Sequence, residues 1–249
     1  MITVNEVMNW MAQQAPCEMA ESWDNVGLLV ESGRPVEKIL VCLDITPAVV
    51  REAAEQNCQL IVSHHPVIFK PLRRLDTANP AFQLAQQGIS AICMHTNLDA
   101  AQGGVNDVLA QRMELEQVQP FGEGGLGRMG YLYQPCTARQ LADRCAQALN
   151  AHIKYADGGK GIQRLAVVGG SGGDFWRQAQ AAGAQALLTG EASHHDALDA
   201  QAAGFTLLVG GHFCTEQPMV EALAHRLAEQ FRSVQVQLSS QSKDPYQYL

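Results

Sequence analysis

Six short apolar runs punctuate the chain, and each ends in polar or glycine-rich residues. In the first half they are "ILVCLDIT" (39–46), "QLIVSHHP" (59–66) and "ISAICMHTNLD" (89–99). In the second half they are "RLAVVGGSGG" (164–173), "ALLTGEASHHD" (186–196) and "TLLVGGHFCTE" (206–216). Helical stretches rich in Ala and Gln alternate with them. Continuous runs of Leu and β-branched residues, spaced by helices, predict an α/β fold whose strands are mainly parallel and covered by helices. "LAQQGISAICMHTNLD" and "AQAAGFTLLVGGHFCTE" read as one βα phrase used twice, an internal pseudo-repeat.

The segments around these runs add detail. In "MITVNEVMNWMAQQAP", Val4, Val7, Met8 and Met11 share one helical face, and Thr3 and Glu6 have capping-box spacing. This predicts an amphipathic helix instead of a signal peptide, because a basic region and an unbroken apolar stretch are both missing. "GLGRMGYLY" predicts a hairpin, and Thr137 an N-cap for a helix over 138–149. "GLGRMG" matches a dinucleotide fingerprint only superficially, since it precedes a strand-like segment and does not open a helix. At the C-terminal end, Val220, Leu223, Leu227 and Phe231 predict a helix over about 216–231. Thr215 is read as its N-cap and Pro218 as part of its first turn, which puts His212 in the preceding loop. Alternating "VQVQL" (234–238) then predicts a last strand.

Composition narrows the function classes. Hydrophobic residues make up 47% of the 249 residues and charged ones 17%, as in a globular protein. The net charge of −8, with no Lys/Arg block longer than two, argues against general nucleic-acid binding. No run of apolar residues is long enough to span a membrane. Seven scattered cysteines without a CxxC pair predict reduced thiols and a cytoplasmic location.

In parallel α/β sheets, ligands bind beyond the carboxyl ends of the strands. His64, His65, His95, Asp99, His212 and Glu216 all fall at such ends, within a chain that has eight histidines. Imidazole and carboxylate together suit divalent transition metals such as zinc, iron or manganese. Neighbouring strand residues point to opposite faces, so His64 and His65 do not readily serve one ion. At a strand end redirected by Pro66 they can diverge toward two. A dinuclear centre with two carboxylates would keep a formal surplus of positive charge and favour anionic ligands, as in two-metal hydrolases. Taken singly, an HH pair or an H-x-x-x-E spacing is equally well explained as ordinary core or surface structure.

The chain also resembles a known family, the GTP cyclohydrolase 1 type 2 homologues or NIF-three-like proteins. The matching stretches are "WDNVGLLV" (23–30), "SHHPVIFKPLRRL" (63–75), "HTNLDAAQGGVND" (95–107), "GLGRMG" (125–130), "LLTGEASHHD" (187–196), "GHFCTE" (211–216) and "DPYQYL" (244–249). The resemblance is to the short form, without an inserted extra domain. It implies two similar α/β lobes, 1–125 and 126–249, with a dinuclear metal site in the cleft between them. It further implies a toroidal homohexamer. The implied metal ligands are His64, His65, Asp99, His212 and Glu216, with Glu216 bridging two divalent ions per subunit.

The expected function is a metal-dependent hydrolase acting on a nucleotide or phosphate-bearing substrate, GTP among them, with His95 and Glu191 as the groups available for proton transfer. The alternative is a non-catalytic, metal-binding or regulatory hexameric ring. Lys70, Arg73 and Arg74 could hold a substrate phosphate or form a plain solvated turn. Asp24 and Asn25 either line the site or shape the turn before Val26. His194 and His195 end another strand and could approach metal or substrate. "GGSGG" (169–173) could form an anion nest or serve close packing.

Overall fold

The computed structural model describes residues 1–248. Two compact units divide the chain. The first comprises Met1–Gln102 and Val220–Lys243, the second Gly103–Met219 and the C-terminal residues from Asp244. The division is not a single cut near residue 125. The chain leaves the first unit after Gln102, and its last strand returns to the first sheet.

The first unit opens with α1 (Val4–Gln14), closed by the expected capping box of Thr3 and Glu6 and burying Val4, Val7 and Met11. Its strands are β1 (Gly27–Val30), β2 (Lys38–Cys42), β3 (Leu60–Ser63) and β4 (Ser90–Cys93). The last strand, β11 (Gln235–Leu238), completes a sheet of order β1-β4-β3-β2-β11. Only β1 runs antiparallel to its neighbour; the other pairings are parallel. The crossover helices α2 (Pro47–Glu55) and α3 (Pro80–Gln87) each start with Pro after a capping Thr46 or Asn79. Pro suits that position because its missing N–H has no intrahelical partner there. A short helix, α4 (Thr96–Ala100), follows β4 directly.

Register sets the rim of this sheet. Cys42 pairs with Ser63 and Ser63 with Cys93, so three parallel strands end level. Backbone bonds continue the ladder one step further, from His64 to Cys42, His65 to Leu43 and Met94 to Ser63. Asp44, His64, His65 and His95 are therefore delivered to one edge.

The second unit carries α5 (Val105–Arg112), β5 (Glu116–Phe121), β6 (Gly127–Cys136), α6 (Ala138–Leu149), β7 (Lys154–Ala156), β8 (Ile162–Val168), α7 (Trp176–Ala181), β9 (Ala186–Thr189), α8 (His194–Ala202) and β10 (Thr206–Val209). Its sheet has the order β5-β6-β8-β9-β10-β7. Strands β8, β9 and β10 are parallel, and the flanking pairs are antiparallel. This sheet is thus more mixed than the apolar runs suggested, because the expected hairpin (β5–β6) is built into it. Helix α6 has the expected capping box, Thr137 with Gln140.

Helix α9 (His212–Gln230) corrects one expectation: it begins at His212 and holds Pro218 inside. Thr215 is a helical residue and not an N-cap. Its hydroxyl lies 3.0 Å from the Gly211 carbonyl and 2.9 Å from that of His212, and it accepts from the Gly170 N–H at 3.1 Å. Such back-bonding to the preceding turn competes with capping. Among the described residues, no helix is long and apolar enough to cross a membrane.

Glu52 on α2 anchors the segment after β11. Its carboxylate, with the residue only 6% exposed, accepts from the Ser239 hydroxyl, from the Ser240 N–H at 2.8 Å and from the Ser240 hydroxyl at 2.7 Å. Burial raises its pKa, but these hydrogen bonds outweigh burial and hold the carboxyl below its usual value. Since the folded pKa is depressed, the stabilisation is full above the unfolded value, about 4.3, and fades as pH falls through the folded one. Glu52→Ala is expected to cost about 1–3 kcal/mol in urea unfolding at pH 7. The difference from the parent should shrink in acid. Equal unfolding midpoints and slopes at pH 7 would show that the anchor contributes nothing.

Candidate metal centre

In the first unit three imidazoles gather at the level rim of β2, β3 and β4. The His64 and His65 rings are 5.0 Å apart between centroids, and His95 lies 5.2 and 5.4 Å from them. One ring nitrogen from each of the three falls within 4.8 Å of the others. Asp99, on the first turns of α4, places Oδ1 3.5 Å from His64 Nε2.

Each ring is held at Nδ1 by an oxygen. His64 Nδ1 is 2.9 Å from the Met94 carbonyl, His65 Nδ1 is 2.7 Å from Asp44 Oδ1, and His95 Nδ1 is 2.9 Å from Asp24 Oδ1. A carbonyl oxygen and a carboxylate oxygen accept, so Nδ1 carries the hydrogen on all three rings. The neutral ring then keeps its lone pair on Nε2, the arrangement that metal-ligating histidines use. The adjacent pair is thereby explained locally: His64 and His65 are anchored in different directions, one to the neighbouring strand end and one to the residue after Leu43.

Asp24 is itself fixed by Thr96, whose N–H and hydroxyl donate to Oδ2 at 3.1 and 2.6 Å. Burial raises the pKa of Asp24, yet the hydrogen bonds from His95 and Thr96 dominate and keep it low. His95 is shifted down, first by burial and then by His64, against the opposing pull of Asp24. A neutral His95 over an ionised Asp24 follows. Asp24 therefore orients His95 directly, and it also shapes the local turn, its Oδ1 accepting from the Asn25 N–H at 2.8 Å.

The second unit presents a different pair. His212 and Glu216 are one helical turn apart on α9, with Nε2 3.1 Å from Glu216 Oε2. Had His212 lain in a loop, nothing would have imposed this separation; the helix start at His212 does. Glu191, after β9, sits 3.4 Å from His212 Nδ1 and accepts from the Ser171 hydroxyl. Gly170 passes close by with φ of +61°, and a Cβ there would come within 2.2 Å of Glu216 Oε1. The glycines of "GGSGG" thus serve a left-handed turn and close packing. The N–H groups of Gly170 and Gly172 donate to Thr215 and Thr189 and are not gathered into an anion nest.

The remaining expectations fall outside these two sets. Lys70 and Arg73 lie on an exposed loop after Pro66, and Arg74 pairs with Asp76 at 3.2 Å. His194 and His195 are exposed at the start of α8, which Ser193 and Asp196 cap reciprocally. Asp44 is a site residue that the histidine-led reading passed over. It stands two residues past the end of β2, within the run "ILVCLDIT", so the strand-end logic that found His64 and His95 could have found it too.

Comparison with known proteins agrees with this architecture. Residues 2–245 match the family model described as Duf34/NIF3, NGG1p interacting factor 3. The chain belongs to that family. It is 30% identical over 260 residues to the GTP cyclohydrolase 1 type 2 homolog of Clostridium perfringens, covering 99% of both chains. A protein of the same description from a Nostoc species is 35% identical over 237 residues, with 89% of this chain and 87% of that one covered. Among solved structures, a Staphylococcus aureus hypothetical protein superposes with a TM-score of 0.92 at 30% identity, covering 100% of this chain and 99% of the other.

Gly170→Ala tests the close approach at Glu216. It combines left-handed backbone strain with a collision, whereas Gly159→Ala, at φ of +72° with nothing within 4 Å, carries the strain alone. Gly159→Ala is expected to cost about 1 kcal/mol. Gly170→Ala should cost clearly more in thermal or urea unfolding. Equal losses would mean that Glu216 yields freely and that the contact does not fix its position.

Proposed function

We propose that the protein is a metal-dependent hydrolase of a nucleotide or another phosphate-bearing substrate, with two divalent ions held by His64, His65, Asp99, His212 and Glu216. The observation that carries this reading is the set of three neighbouring imidazoles, each fixed at Nδ1 by an oxygen acceptor. Such anchoring prepares Nε2 as a donor before any ion arrives. The donor set fits the chemistry: neutral imidazole nitrogen with carboxylate oxygen accepts zinc, iron or manganese. Relatives described as GTP cyclohydrolase 1 type 2 homologs make GTP the first substrate to assay.

Bound ions would supply Lewis-acid polarisation of a substrate oxygen and would activate water near neutral pH. The chain's own residues do the positioning. Asp44 and the Met94 carbonyl orient His65 and His64, and Asp24 orients His95. His95 and Glu191 are the groups we assign to proton transfer, because each is held beside the donor sets by an identified contact. Lys70 and Arg73 are exposed cations that we assign a weaker role in meeting substrate phosphate. We further assign a homohexamer as the assembly, which light scattering of the purified protein tests. The seven free cysteines support a cytoplasmic location.

His64→Ala and His65→Ala are expected to abolish bound metal and turnover together, read by elemental analysis and by GTP and phosphoester assays. Full turnover by a metal-free preparation refutes the proposal. Metal-replete protein that stays silent toward GTP, other nucleotides and model phosphoesters favours a non-catalytic metal-binding ring instead. Asp44→Ala leaves every proposed ligand in place and removes only the anchor of His65. It should weaken metal affinity by about 10–100-fold in a chelator competition. Unchanged affinity would show that the anchor is dispensable.

A further inference from the structure

Beside the histidines of the first unit stand two aromatic side chains that contribute little to its core. Trp23 is 58% exposed and Phe69 45%. Their ring centroids are 5.9 Å apart, and they lie 6.2 and 6.3 Å from that of His95, all in edge-to-face geometry. An exposed indole offers a large flat apolar face with a polar edge, the kind of surface enriched at contacts with partners and ligands.

The two residues that follow Trp23 fix its segment on both sides. The next residue, Asp24, bonds His95 and Thr96, and the one after it, Asn25, donates through its side chain to the Ile68 carbonyl. The same bonds thus tie the Trp23 segment to His95 on one side and to the Phe69 segment on the other. An exposed aromatic surface fixed in advance loses little conformational freedom when a ligand stacks on it. Exposed Lys70 follows Phe69 directly and exposed Arg73 lies three residues beyond Lys70, and both favour a guest that carries negative charge.

From this juxtaposition, we infer that Trp23, buttressed by Phe69, is the stacking surface for a planar heteroaromatic ring of an anionic substrate, beside His95. The inference rests on the hydrolase reading above and assigns its specificity to the ring as well as to the phosphate. Trp23 is a binding residue, distinct from the metal ligands.

The test uses the full-length protein and two probes, GMP and ribose 5-phosphate, which share a phosphate and differ in the base. Of the three tryptophans, Trp176 is buried and Trp10 packs on Phe231 at 5.9 Å, so Trp23 is the most exposed reporter. GMP is expected to quench the intrinsic fluorescence, and ribose 5-phosphate is not. Calorimetric affinity for GMP should fall about tenfold or more in Trp23→Ala and also in Phe69→Ala, in line with alanine scans of base–aromatic stacks. Far-UV circular dichroism and elemental analysis should show fold and metal content retained.

Equal affinity for the two probes, or unchanged GMP affinity in both variants, overturns the inference. So does a Trp23→Ala variant that dissociates the native assembly while binding GMP normally, which would assign the aromatic pair to self-contact. Repeating the titration on chelated protein separates the two readings. Ring discrimination in protein that never binds metal refutes the metal centre alone. Loss of discrimination in fully metal-loaded protein refutes the stacking surface alone.

Discussion

Three hydrogen bonds from imidazole Nδ1 to oxygen organise everything chemical in the first unit. They join His64 to the Met94 carbonyl, His65 to Asp44 and His95 to Asp24. Each bond determines the tautomer, the direction of the ring and the nitrogen that remains able to donate a lone pair. A histidine cluster without such anchors would rotate freely, and mutual repulsion on protonation would disperse it. With them, each ring keeps one orientation, while burial and the neighbouring His64, against the pull of Asp24, hold the pKa of His95 down.

The anchors themselves follow from strand register. Because β2, β3 and β4 end level, the residue two beyond Cys42 stands beside the residues just beyond Ser63 and Cys93. The carboxylate of Asp44 and the carbonyl of Met94 are in reach for that reason alone. Shifting one strand by a single residue would turn these side chains to the opposite face of the sheet. Strands β3 and β4 are buried on both faces, and such a slip would force Ile61 or Ile92 into the space packed for its neighbours on the opposite face. Core packing and site geometry are in this sense one constraint.

Much of this was legible in the sequence. The runs ending in His64, His95 and His212 predicted the parallel strands and the rim on which functional side chains gather, and the hairpin, α1 and α6 were anticipated from turn and capping residues. Three features were not. Strand β1 is antiparallel and ends at Val30, and β7 spans only Lys154–Ala156; such short edge strands carry too little apolar pattern to announce themselves. The start of α9 was misplaced because Thr215 and Pro218 imitate an N-cap and a first turn, while the helix begins three residues before Thr215. The return of β11 to β2 is a long-range pairing with no local signal, so a division of the chain into consecutive halves could not foresee it.

The central claim is that the rings are preset with hydrogen on Nδ1 and the lone pair on Nε2. Nitrogen-15 NMR of the metal-free protein, correlating ring nitrogens with their carbon-bound protons, reads this directly. Assignment through single His→Gln variants identifies each ring. At neutral pH the account predicts the Nδ1–H tautomer for His64, His65 and His95, with Nε2 at the shift of an unprotonated nitrogen. Rings in rapid tautomer exchange, or with hydrogen on Nε2, would contradict it.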